Sequence, residues 1–145
     1  MHIADTVFAR RWMRFAALVA AVFGAVTIRE GGSVLFGDGA RTAGHVVGFV
    51  LWFNFLAGFA YVAAGIGLWY RTRWSVWLAS ALALGTVVIF GAFGIHVATG
   101  GAYEVRTVWA MTLRSVIWIL IALLAYRLAE HGKAPGAGAI GVGGA

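Results

Sequence analysis

The chain has 145 residues, of which 62% are hydrophobic and 11% charged, and its mean hydropathy is +0.90. A water-soluble domain is excluded by that balance, since such domains are roughly half apolar and a quarter charged. The absence of cysteine removes thiol catalysis, disulfides and iron–sulfur ligation. The net charge of +6 is scattered at the ends of apolar runs, which points to anionic lipid headgroups and not to nucleic acid.

The N-terminal stretch carries Asp5 with Arg10, Arg11 and Arg14, and it enters the first apolar run without a small-residue cleavage site, so this run reads as a retained helix. A membrane-crossing helix needs about 20 mostly apolar residues to traverse about 30 Å of hydrocarbon. Four segments qualify, at about 12–28, 45–70, 74–99 and 107–126. Proline occurs once, at Pro135, so no span carries a strong helix breaker. The predicted fold is all-α: a four-helix transmembrane bundle over residues 1–131, followed by a flexible Gly/Ala-rich tail over 132–145.

Spans two and three are separated only by Arg71, Thr72 and Arg73, a connection so short that they must be antiparallel neighbours. Basic residues beside spans are retained in the cytoplasm. Arg10, Arg11, Arg14, Arg71, Arg73, Arg127 and Lys133 fall on one side, against Arg29, Arg41 and Arg106 on the other. Both termini and the tight turn are therefore expected inside, as in a protein of the bacterial inner membrane. Trp12, Trp69, Tyr70, Trp74, Trp77 and Tyr126 would line the inner interface, with Tyr103 and Trp109 at the outer one. Residues 29–44 read as a glycine-rich connection able to fold over the bundle.

Helix contact inside lipid depends on small residues that let backbones approach. Span one offers Ala17, Ala21 and Gly24; span two offers Gly58 and Gly65 on the side of Asn54 and Tyr61; span three offers Ala81, Gly85 and Ala92. These stripes read first as packing surfaces.

Few residues can carry chemistry. His45, opening span two, and His96, near the end of span three, lie at nearly the same distance from the turn, with a depth difference of about 5 Å. Two imidazoles can ligate a haem b iron from both sides. Alternatively they supply part of a metal site completed by Glu104, or by Glu30 or Asp38. Histidines at helix ends also sit commonly among headgroups, bound to water or main chain. Arg114 lies about 10 Å below the outer end of span four, too deep for casual exposure. It either pairs with Glu104, Glu30 or Asp38, or holds a quinone carbonyl, a haem propionate or a lipid phosphate with its fork of donors. Asn54 is expected to hydrogen-bond across helices, with Tyr61 extending the network. The sequence carries no phosphate loop, no serine–histidine–acid set and no paired intramembrane carboxylates, hence no catalytic motif.

The four-span plan, the arginine before span one and the stretch NFLAGFAYVAAGIGLW in span two resemble small DoxX-like membrane proteins. That resemblance implies a four-helix bundle with an accessory role beside quinone-linked redox enzymes. The chain departs from the family pattern at GAVTIREGG, which stands where a glycine and a nearby lysine are usual, and no catalytic residue carries over. The expected function is that of a small accessory subunit of a membrane redox complex, contacting quinone, haem or metal at the outer leaflet through His45, His96 and Arg114. The alternative is a purely structural assembly subunit without a cofactor. Its partners would be the bilayer and other membrane subunits or further copies of itself. A carrier is disfavoured, because Arg114 is the single charge well inside a span.

Overall fold

The computed structural model describes residues 2–131, so the expected tail at 132–145 lies outside the described residues. Four α-helices follow one another: α1 (His2–Phe36), α2 (Gly48–Trp69), α3 (Arg73–Ala98) and α4 (Val105–His131). A single 3-10 turn, Asp38–Arg41, lies between α1 and α2. Each helix contains a segment long and apolar enough to cross a membrane: Arg10–Phe36, Gly48–Trp69, Arg73–Ala98 and Val105–Leu128. This is the architecture of an integral membrane protein. The lipid-facing surface is apolar along every helix, with Phe15, Leu18, Leu56, Leu84, Ile95 and Leu120 all more than half exposed.

The largest departure from the sequence reading is at α1, which continues through Arg29, Glu30, Gly31 and Gly32 where a connection was expected. Two glycines cost a helix about 1 kcal/mol each relative to alanine. Tertiary contact offsets that cost. A Cβ on Gly31 would lie 3.1 Å from the Phe55 Cβ, so glycine brings α1 onto α2, and Phe36 then packs edge-on against Phe55 with centroids 5.6 Å apart. The α1–α2 connection is correspondingly shorter, and α2 begins at Gly48, which leaves His45 in the loop before it.

The α2–α3 turn is as tight as the sequence requires. The Arg71 N–H donates to the Leu68 carbonyl (3.1 Å) and the Thr72 N–H to the Gly67 carbonyl (3.0 Å), the paired bonds of a Schellman cap. Arg71 occupies the left-handed position of that cap, φ 55°. The hairpin defines a turn end of the bundle, which also holds the start of α1's span and the end of α4's. The opposite, loop end carries the α1–α2 and α3–α4 connections. Exposed Trp12, Trp69, Tyr70, Trp74, Trp77 and Tyr126 ring the turn end, and Tyr103 and Trp109 mark the loop end. At the turn end the Arg14 guanidinium lies over the Trp69 ring at 5.5 Å, tying α1 to α2.

Packing is uneven. The α1 and α2 stripes meet: a Cβ on Gly24 would lie 2.8 Å from the Gly58 carbonyl oxygen, and one on Gly65 would lie 2.8 Å from that of Ala17. Only glycine permits this approach. The stripe on α3 behaves differently. Ala81 and Ala92 are exposed, and a Cβ on neighbouring Gly91 or Gly94 would meet nothing within 4 Å; of the stripe only Gly85 is half-buried, where a Cβ would lie 3.6 Å from the Phe53 ring of α2. Instead α3 buries Ser75, Ala79, Leu82, Ala83, Thr86 and Phe93. In the centre, Tyr61 and Trp118 are fully buried with ring centroids 4.5 Å apart, and the Tyr61 hydroxyl meets the Thr86 hydroxyl at 3.5 Å. Contact between α1 and α4 is slight.

Candidate functional site: a cavity floored by a buried arginine

Because α1 packs far more closely on α2 than on α4, the loop half of the bundle holds a partly open cavity of about 380 Å³. Its walls are α1 (Phe23, Val26, Thr27), α2 (Val50, Asn54) and α4 (Ala110, Leu113, Arg114), and Thr42 and Ala43 of the α1–α2 connection lie over it. Arg106, at the start of α4, donates from Nη2 to the Ala43 carbonyl (3.2 Å) and so pins that cover.

Arg114 stands about 13 Å along α4 from Val105 and is 8% exposed. Its Nη2 donates to Thr27 Oγ1 at 3.4 Å and its Nη1 to the Met111 sulfur at 3.6 Å, while the Phe23 ring lies 5.5 Å from Cζ. Nε is buried without an acceptor. These contacts engage five donors poorly: one bond is long for N–H···O, and a thioether is a weak acceptor. The expected ion pair does not form. Glu30 contacts Arg29 (3.6 Å), Asp38 contacts Arg41 (3.6 Å), and Glu104 accepts from the main-chain N–H of His45 (3.0 Å). Among the described residues, no carboxylate is in salt-bridge contact with Arg114.

Asn54 lines the same cavity and makes the cross-helix bond expected of it, donating from Nδ2 to the Met111 sulfur at 3.6 Å. Its Oδ1 is buried and unpartnered. Tyr61 does not extend this network but turns to Thr86 on α3. The cavity floor thus presents unused donors on Arg114 beside an unused acceptor on Asn54.

The histidines sit elsewhere. His45 and His96 both line an open pocket with Gly48, Phe49 and Ala102, to which Arg114 does not contribute. A His96 ring nitrogen lies 3.3 Å from the Ala102 carbonyl, and the ring stands edge-on to Phe49. Glu104 reaches the main chain of His45, not its imidazole, and presses on Gly44, whose φ of 68° and lack of a side chain allow that approach. Among the described residues, no group of three His, Asp or Glu is placed to hold a metal ion. His45, His96 and Glu104 therefore supply two imidazoles on an open surface, with the carboxylate already engaged.

Thr27, Met111 and Phe23, all in contact with Arg114, escaped the sequence reading. Met111 lies three residues before Arg114 on α4, a spacing that places it on the same helix face, but a methionine in an apolar span reads as packing. Comparison with protein families, with curated proteins and with solved structures finds no match to this chain.

Proposed function

We propose that the cavity above Arg114 binds a small molecule through an oxygen acceptor, and that the protein serves as a small accessory subunit of a membrane redox complex with a quinone head group as that ligand. The observation that carries this reading is a guanidinium buried in a span, with no carboxylate partner and a free Nε, at the floor of a cavity. A charge inside a span is expensive and is retained where it meets a partner or a ligand. A quinone carbonyl would accept from Arg114, and the reduced hydroxyl could donate to Asn54 Oδ1, so both unused groups find complements. The resemblance to DoxX-like proteins supports the same reading. With the termini cytoplasmic, as the basic residues indicate, the cavity opens toward the outer leaflet of a bacterial inner membrane. Haem or metal at His45 and His96 has less support, because the two rings lie on an open surface away from Arg114.

The test is quinone binding to the purified protein in nanodiscs, followed by quenching of tryptophan fluorescence. Arg114→Lys keeps the charge and loses the planar fork, so affinity should fall about tenfold or more while the melting temperature holds. A wild-type protein that binds no quinone, or a lysine variant that binds equally well, refutes the reading. A second reading, a purely structural subunit, draws on a different observation: the small-residue face of α3 at Ala81, Gly91 and Ala92 is exposed and would admit close approach of another helix.

A further inference from the structure

The cavity has two kinds of boundary. Toward the loop end it lies under the α1–α2 connection, which the Arg106 bond to Ala43 holds in place. Toward the lipid its boundary is the seam between α1 and α4, the two sequence-distant helices that scarcely touch. Val26 on α1 and Leu113 on α4 both line the cavity, yet they are 53% and 56% exposed on the outer surface. Ala110, one turn before Arg114 on α4, lines it and is exposed as well. A residue that faces both a cavity and the outside stands on a rim. Leu113 is about 12 Å along α4 from Val105, so this rim lies at a depth of hydrocarbon and not of water.

We infer that the seam between α1 and α4 is a lateral portal, through which a lipid-soluble amphiphile enters from the bilayer, setting its acceptor-bearing head on Arg114 and leaving its tail between Val26, Ala110 and Leu113. The inference rests on the reading of the cavity as a ligand site. Two features support this class of ligand together. The head must satisfy buried donors deep in the span, and the exposed lining residues at that depth, Val26, Ala110 and Leu113, are apolar, whereas Glu30, Thr42 and Arg106, nearer the loop end, are polar. A water-soluble molecule with the same head would enter instead past the exposed polar lining residues of the loop end, Glu30, Ser33, Thr42 and Arg106.

The portal is tested with two quinone probes that share one head group, a tail-less water-soluble form and a form with a ten-carbon tail, bound to the full chain in nanodiscs. Ala110→Trp and Leu113→Trp add bulk at the rim from positions already facing lipid, so folding should survive, and equal melting temperatures check it. Both variants should weaken the tailed probe by about tenfold or more, and the tail-less probe by less than about threefold. Equal loss of both probes, or no loss of either, overturns the portal while leaving the cavity as a binding site. A wild-type protein that binds neither probe removes the cavity reading itself, and the portal with it.

Discussion

Replacing Arg114 by methionine should not destabilise the ligand-free protein, although the residue is among the most buried polar groups in the chain. The magnitudes follow from its contacts. A charged side chain near the middle of a span costs about 2.5–3.5 kcal/mol on the insertion scale, and methionine carries no such cost. Against this stand two bonds to neutral acceptors, 3.4 Å to Thr27 and 3.6 Å to the Met111 sulfur, worth about 1 kcal/mol or less each at those lengths. The cation–π contact with Phe23 at 5.5 Å adds about 0.5–2 kcal/mol, part of which a methionine sulfur would recover on the same ring. Losses and relief are of similar size, and no acid is left stranded. Thermal unfolding in detergent micelles, followed by far-UV circular dichroism, should therefore show a midpoint that is unchanged or raised. Added quinone should raise the wild-type midpoint by linkage and leave the methionine variant where it was. A loss of more than about 3 kcal/mol in the ligand-free variant would refute the reasoning, because a penalty of that size is characteristic of breaking a buried ion pair.

The glycines should respond in opposite directions according to what they face. In Gly65→Ala the new Cβ would lie 2.8 Å from the Ala17 oxygen and 2.9 Å from the Ala21 nitrogen, both main chain, so a strain of about 1–3 kcal/mol should outweigh the gain in helix propensity. In Gly91→Ala nothing lies within 4 Å, and stability should rise by up to about 1 kcal/mol; shifts of the same sign in parallel melts would contradict the packing described. Arg71→Gly should raise the midpoint by an amount corresponding to about 1 kcal/mol, by relieving the left-handed φ of 55° in the turn, and a lowered midpoint would mean that the arginine side chain holds the hairpin. Reporter fusions after Arg73 and after Lys133 should both read cytoplasmic, and a periplasmic signal at either would overturn the N-in, C-in orientation.

How much of this was legible depended on whether the relevant physics is local. The four spans were, because hydropathy over some twenty residues is a property of the segment alone. So was the α2–α3 hairpin, since three residues leave no other path. The end of α1 was misread because Gly31 and Gly32 lower helix propensity, whereas what decides the matter is Phe55, which α2, a helix that comes later in the chain, brings against Gly31 and Phe36 of α1. The depth of Arg114 could be counted along a helix, but the fate of the acids could not. Glu104 is diverted to the main chain of His45 by a left-handed Gly44, a loop geometry with no periodic signature. The α3 stripe shows the same boundary: Ala81, Gly85 and Ala92 share the composition of the α1 and α2 stripes, and composition does not say which helix, if any, stands opposite.

The small residues and the buried charge are two ends of one arrangement. Gly24, Gly58 and Gly65 let α1 close onto α2 until main-chain atoms meet, and a helix pulled that far to one side cannot also close onto α4. The space left over is the cavity, and Arg114 on α4 stands beside it with only Thr27 reaching across from α1 to accept one of its donors. Widening the α1–α2 contact should therefore act on the site at a distance. In Gly24→Ala the new Cβ would lie within 2.9 Å of Gly58, Tyr61 and Val62 atoms, and α1 could relieve that crowding only by moving away from α2 toward the seam with α4. Closure at the seam would cost the site its space before it cost the bundle its fold. On this argument the glycines of α1 and α2, none of which touches the guanidinium, set the room available to whatever Arg114 holds.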